Sequence, residues 1–421
     1  MKRLFVIAAA LLLSTGAFAC TSVIITGKAT RDGRPLMWKN TDGAGGWSSQ
    51  ILSYHEDGKY PWIGLAAEKN PTTAWFGTNS TGFCVMNTKS HNFLTEEQTS
   101  KANNGYLMRK ALDVCVTLQD FLNMLDTITM PKIYVCSHYG VIDAQGAAAY
   151  VEFSYDRKEK KYWVVDVNDP VVAPYGYLTY TNWSRYGVEG GGGGYIRQES
   201  ANEIVQKASK TKEFTPYWIF NALSRSFYNA FTGEDLRAMV DGGRDIPGTG
   251  FHPDNDFIPR FGTSVASVIQ GVKPGEDPQF TTLWTALGYP PTSIATPAWV
   301  KGGKEGLNSY IRRNPANRNG AAEICNISLR LKSQVFPIKR GNGKKYFNFK
   351  QLYNVDGTGF MQQLAPAELE IWNLTQGYIE KWRKEGEVSV SDIMEHNRRA
   401  EEIISEIPLV KNLEWEYKHL I

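Results

Sequence analysis

Apolar residues recur along this chain with two different periods, and the switches between them mark out its elements. Residues 21–26, 35–39, 50–55, 62–66 and 83–88 are short, β-rich runs. Asp32-Gly33, Asp57-Gly58 and Ser80-Thr81-Gly82 stand between them as turns, which predicts a series of antiparallel strands. The period then lengthens. Leu107, Ala111, Val114, Leu118, Leu122 and Leu125 recur at three- and four-residue steps, which predicts one helix over 106–126 with a single apolar face. Strand character returns at 133–144, 147–155, 161–167 and 177–182. Helices are predicted over 200–210 and 215–227, the second opening on Pro216. Strands follow at 264–271, 282–288 and 293–300, then helices at 321–334, 367–384 and 390–406. This order predicts an α+β fold. Two antiparallel sheets pack face to face under helices, a four-layer α-β-β-α body with a helical C-terminal part.

One apolar run fits neither period. Met1-Lys2-Arg3 is followed by apolar residues from Leu4 to Leu13, and Ala17-Phe18-Ala19 then gives the small-x-small pattern of a signal-peptidase site. The expected organisation is a leader over 1–19, removed on export, and a single domain over 20–421 in which 365–421 is a helical extension. Cleavage between Ala19 and Cys20 puts a thiol and a free α-amine on one residue. The amine's pKa of roughly 7.7–8 leaves part of it as an unprotonated base near neutral pH, and the thiolate is the reactive form of the sulfur. A nucleophile that carries its own base is the logic of an N-terminal-nucleophile hydrolase. Two plainer readings stand beside it: Cys20 as half of a disulfide, or as the lipidated cysteine of a surface protein. Lipoprotein junctions place an aliphatic residue three before the cysteine, where this chain has Ala17, and bulky Phe18 follows it.

Composition narrows the classes. Of 421 residues 42% are hydrophobic and 12% aromatic, ample for a large core, and a formal charge of +3 favours neither nucleic acid nor an anionic membrane. Beyond the leader no apolar run is long enough to span a bilayer, so a soluble, exported protein (periplasmic or secreted) without membrane insertion is expected. An odd count of five cysteines, Cys20, Cys84, Cys115, Cys136 and Cys325, leaves at least one thiol unpaired. Cys84, Cys115 and Cys136 sit in apolar runs, as buried free thiols do. The six histidines are scattered, with no His-x-x-x-His or Cys-x-x-Cys pair, and no Gly-x-Ser-x-Gly elbow is present. Neither metal nor cofactor is expected. Gly190 to Gly194 lack the Lys-Ser/Thr of a phosphate loop and are expected to form a flexible loop.

The first hairpin returns Lys39 and Asp42 toward Cys20. A cation there favours thiolate and a carboxylate can hold an ammonium, although a solvated strand end and an ordinary loop acid are the plainer readings.

The residues of this hairpin resemble a known family. Cys20-Thr21 is followed by Gly27-Lys28-Ala29-Thr30-Arg31-Asp32-Gly33 and by Trp38-Lys39-Asn40-Thr41-Asp42. Later stretches agree, among them Gly77-Thr78-Asn79-Ser80-Thr81-Gly82, Thr181-Asn182-Trp183-Ser184 and Ile258-Pro259-Arg260-Phe261. Together they resemble the linear-amide C–N hydrolases, which include choloylglycine hydrolases, penicillin V acylases and isopenicillin-N acyltransferase-like proteins, the last being the nearest branch. The resemblance runs from Cys20 to about Val300. It implies the N-terminal-nucleophile hydrolase fold, and cleavage or acyl transfer of a linear, non-peptide amide. It makes Cys20 the nucleophile and Asp42 the aspartate beside it. Asn182 matches the asparagine that contributes an oxyanion-hole amide, Asn87 the partner whose backbone N–H completes the hole, and Arg260 a late arginine near the cysteine. Lys39 stands where the family has arginine, which keeps the charge and loses the bidentate fork. The expected partner is a small-molecule amide. Relatives often form dimers or tetramers, so a homo-oligomer is a further expectation. A secreted dipeptidase of the related family that also begins Cys-Thr, and a lipid-anchored binding protein, are the alternatives.

Overall fold

A computed structural model describes residues 20–93, 104–128, 135–155, 159–254, 256–317 and 320–411. The leader expected over 1–19 lies outside them. Two antiparallel sheets carry the fold. The first has strand order β10-β1-β2-β11-β12-β13. Its strands are β1 (Cys20–Ile25), β2 (Leu36–Asp42), β10 (Tyr177–Tyr180), β11 (Thr263–Gln270), β12 (Thr282–Leu287) and β13 (Thr296–Ala298). The second runs in chain order through β3 (Gln50–His55), β4 (Trp62–Ala67), β5 (Phe76–Asn79), β6 (Cys84–Lys89), β7 (Val135–Ile142), β8 (Ala148–Tyr155) and β9 (Lys160–Asp166).

Alternation along each strand decides the layers. Cys20, Ser22 and Ile24 share one face of β1, and Ser22 Oγ meets Tyr150 OH of β8 at 3.2 Å, so this face looks onto the second sheet. The opposite face carries Trp38, whose indole N–H donates to Ser224 Oγ at 2.7 Å in the helical layer. On the far side of the second sheet, α1 (Asn104–Val114) and α2 (Leu118–Thr127) bury Leu107, Ala111, Phe121 and Leu125 against Val85, Tyr139 and Val151. The outer face of the first sheet is covered by α3 (Tyr195–Ser209), α4 (Glu323–Val335) and α5 (Phe360–Glu385), and α6 (Val390–Glu406) packs on α5. The expected four-layer α-β-β-α body and helical C-terminal part are present.

Several boundaries differ from the periodicity. The single helix over 106–126 is two, because the Thr117 hydroxyl and the Asp120 carboxylate form a capping box that starts α2 afresh. Residues 215–227 hold a helical turn, Pro216–Ile219, that widens into a π-turn at Phe220–Ser224. β5 has no counterpart in the pattern: Phe76-Gly77-Thr78-Asn79 is too short and too poor in β-branched residues to signal a strand by itself. α5 begins seven residues before the expected start and carries Pro366 inside it. Within the C-terminal helices, Ile371, Ala400 and Ile404 lie in the main core.

Candidate active site

Cys20 opens β1 beside β2, opposite Thr41, and is 4% exposed. Its nitrogen donates to Asn182 Oδ1 at 2.9 Å. Asn182 follows β10, the other neighbour of β1 in the sheet, so pairing with two strands places nucleophile and amide together. The Asn182 side-chain nitrogen donates to Lys89 O at 3.0 Å. In this arrangement the Asn182 oxygen holds the Cys20 nitrogen, and one of its two N–H groups ties it to β6.

The segment after β10 is tied down from three sides. Asn92 Oδ1 accepts from Ser184 N at 2.8 Å, and buried Glu152 accepts from Arg185 N and Tyr186 N at 2.8 and 3.0 Å. The glycine run completes it. Gly193 O accepts from Asn182 N at 3.1 Å, and Gly193 N donates back to Asn182 O at 3.3 Å. A Cβ at Gly192 would lie 2.1 Å from Trp183 Cβ. The glycines of this loop thus allow close backbone approach to Asn182.

Lys39, opposite Ser22 on the face shared with Cys20, is almost fully buried. Its ammonium donates to Asn87 Oδ1 at 3.0 Å and to Trp75 O at 3.2 Å. Burial lowers its pKa, opposed by Cys20 and Asp42. Burial raises the Cys20 thiol. The positive charge of Lys39 is the largest opposing effect, and the Asp42 backbone N–H also favours thiolate.

Asp42 ends β2 and is held on both oxygens. Thr263 Oγ1 donates to Oδ1 and Arg260 Nε to Oδ2, each at 2.7 Å. Asp42 raises the Arg260 pKa against the effect of burial. Arg260 therefore stands behind Asp42. Below this pair, Lys332 of α4 donates to Phe261 O at 2.5 Å and Thr263 O at 3.1 Å, which fixes the segment carrying Arg260 and Thr263.

The structure gathers all six expected residues: Cys20 with Asn182, Lys39 with Asn87, and Asp42 with Arg260. Sequence reasoning missed Arg197. Its guanidinium donates to Cys20 O at 2.9 Å, Thr21 Oγ1 at 2.6 Å and Asn182 Oδ1 at 3.2 Å. A signal existed: Arg197, Ala201, Val205 and Ala208 recur on one buried helical face. The glycines before it concealed the start of α3. Among the described residues no three His, Cys, Asp or Glu side chains gather as a metal site.

All five cysteines are free and buried. Burial raises all five thiols, Cys84, Cys115, Cys136 and Cys325 up to about 12, and at Cys20 two cations, Lys39 and Arg197, oppose it. Brief alkylation of native protein that begins at Cys20 is expected to add one label per chain at pH 8. Peptide mapping should place it on Cys20, with the other four reacting only after denaturation.

Residues 29–189 match the family model described as acyl-coenzyme A:6-aminopenicillanic acid acyl-transferase. The match includes Lys39, Asp42, Asn87 and Asn182 and agrees with the resemblance read from the sequence. No curated protein matches the chain. Among solved structures, a Caenorhabditis elegans ortholog of N-acylethanolamine-hydrolyzing acid amidase is similar at 14% identity and a TM-score of 0.41, over 60% of this chain and 92% of that one. Conjugated bile acid hydrolase from Clostridium perfringens is similar at 14% and 0.39, over 67% and 92%. Penicillin V acylase from Agrobacterium tumefaciens is similar at 12% and 0.37, over 67% and 86%.

Proposed function

We propose that this chain, a relative of the acyl-transferase family over residues 29–189, is an exported amidohydrolase or acyltransferase with Cys20 as its N-terminal nucleophile. The observation that carries this reading is the Cys20 nitrogen bound to Asn182, with its sulfur under the charge of Lys39. Once residues 1–19 are removed, that nitrogen becomes an amine. The thiol proton passes to the amine lone pair as sulfur adds to the amide carbonyl. The resulting ammonium then gives its proton to the departing amine, which leaves a thioester on Cys20. Water releases the acid, or a second amine takes the acyl group.

An oxyanion forms in both halves of the reaction. The resemblance assigns the hole that receives it to the Asn182 amide and the Asn87 backbone N–H, and one such donor is worth about 2.7–4 kcal/mol in the barrier. Lys39 points inward to Asn87 and Trp75, so it does not present a fork to a substrate carboxylate. This favours acyl groups without an acid at that position. Intact mass and the first residue of the protein secreted by an exporting host test the reading. An unmodified chain beginning at Cys20 is expected. A diacylglyceryl mass, a blocked amine or a different start would remove the base and replace this reading with that of a surface-anchored protein.

A further inference from the structure

The Cys20 nitrogen shares its acceptor with a cation. Asn182 Oδ1 accepts from Cys20 N at 2.9 Å and from Arg197 Nη2 at 3.2 Å, while Arg197 Nη1 holds the Cys20 carbonyl at 2.9 Å. Arg197 is 2% exposed. All its hydrogen-bond acceptors among the described residues are neutral oxygens, and Asp42 and Asp256 act on it only through space. Burial and neighbouring Arg260 draw its pKa down only to about 10, so the guanidinium stays charged at neutral pH. Gly194, at φ +83°, makes room for it: a Cβ there would lie 2.4 Å from Nη2.

We infer that Arg197 is a positioning residue that aims the Asn182 oxygen at the Cys20 nitrogen and keeps the freed amine neutral, ready to accept the thiol proton. This rests on Cys20 being an N-terminal nucleophile. A free α-amine is mostly protonated below roughly 7.7–8 and is then no base. A like charge within about 4–6 Å disfavours that ammonium. The charged groups around Cys20 are Lys39 and Asp42 from β2, Arg197 from α3, and Arg260, with Asp256 beyond Arg197. Lys39 acts in the same sense as Arg197. Asp42 acts in the opposite sense, and Arg260 and Thr263 already occupy its oxygens. The neutral amine still gives one N–H to Asn182, and its lone pair takes the thiol proton.

The test is a titration of the Cys20 amine by nitrogen-15 NMR in cysteine-labelled mature protein, beside the pH profile of kcat/KM. The wild-type amine should titrate below its value in urea. Arg197→Gln should raise the titration and the acid limb of the profile by about one pH unit, so that activity falls more at pH 6 than at pH 9. Arg197→Lys, which keeps the charge, should leave the titration near wild type while lowering kcat. A folded Arg197→Gln chain with an unmoved amine, or with activity lost equally at every pH, overturns the inference. So does a wild-type amine no less basic folded than in urea, which decides the matter even if the variants do not fold. The NMR reading needs no substrate. It therefore judges Arg197 separately from the nucleophile itself, which Cys20→Ala judges.

Discussion

Cys20→Ala is expected to lose amide turnover by at least about a thousandfold on every N-acyl amide the wild-type chain cleaves, with substrate binding retained. The alanine keeps the α-amine, its contact to Asn182 and the β1–β2 pairing, but leaves nothing to form the covalent bond. What remains is positioning and electrostatics. Cys20→Ser separates nucleophile from geometry. The hydroxyl has the size to fit, but it is a far weaker acid than the thiol, and the positive charge of Lys39 cannot ionise it near neutral pH. Serine should therefore fall well below cysteine while its melting temperature stays within a few degrees. Steady-state kinetics on a panel of chromogenic N-acyl amides, including bile-salt, penicillin and fatty-acyl types, checks this. A Cys20→Ala chain with wild-type turnover would falsify the assignment.

Glu368→Gln should cost stability rather than chemistry, by about 3–5 kcal/mol. Arg225 and Glu368 are 6% and 3% exposed and meet in a bidentate pair, with Nη1 to Oε1 at 2.6 Å. Glu368 also accepts from Ala295 N at 2.8 Å, and Arg225 donates to Pro290 O at 2.9 Å and Ser293 O at 3.1 Å. The pair thus fastens α5 to the connection between β12 and β13. Removing one charge leaves the guanidinium buried without its counter-ion. Replacing both, as in Arg225→Met with Glu368→Leu, should recover much of the loss, since no lone charge remains. Urea denaturation of wild type, Arg225→Met, Glu368→Leu and the double variant gives the coupling directly, with Glu368→Gln measured beside them. Equal stability of Glu368→Gln and wild type would mean that the pair does not hold the C-terminal helices to the sheet.

The sheets were legible because each strand is bounded by turn residues and carries enough apolar side chains to show its period. β5 was not, since its four residues are a strand only by virtue of the neighbours that pair with them. The helix break at Thr117 was hidden because Val114 and Leu118 carry the apolar spacing straight across it, although Thr117 and Asp120 spell a capping box. Cys20 was found from its junction, and Lys39 and Asp42 from the reach of a hairpin. The later site residues came from the family resemblance, because no local spacing links Asn182 or Arg260 to Cys20. Arg197 and Thr263 escaped for the same reason: they touch the site through β10, α3 and β11, and only the assembled sheet brings them near.

The most direct measurement is to quench the mature protein in acid during turnover of a cleaved amide and map the added acyl mass. One acyl group is expected, on the N-terminal Cys20 peptide, labile to hydroxylamine as a thioester and missing in Cys20→Ala. An active chain that carries its acyl group on another residue, or releases product at the same rate without Cys20, contradicts Cys20 as the nucleophile.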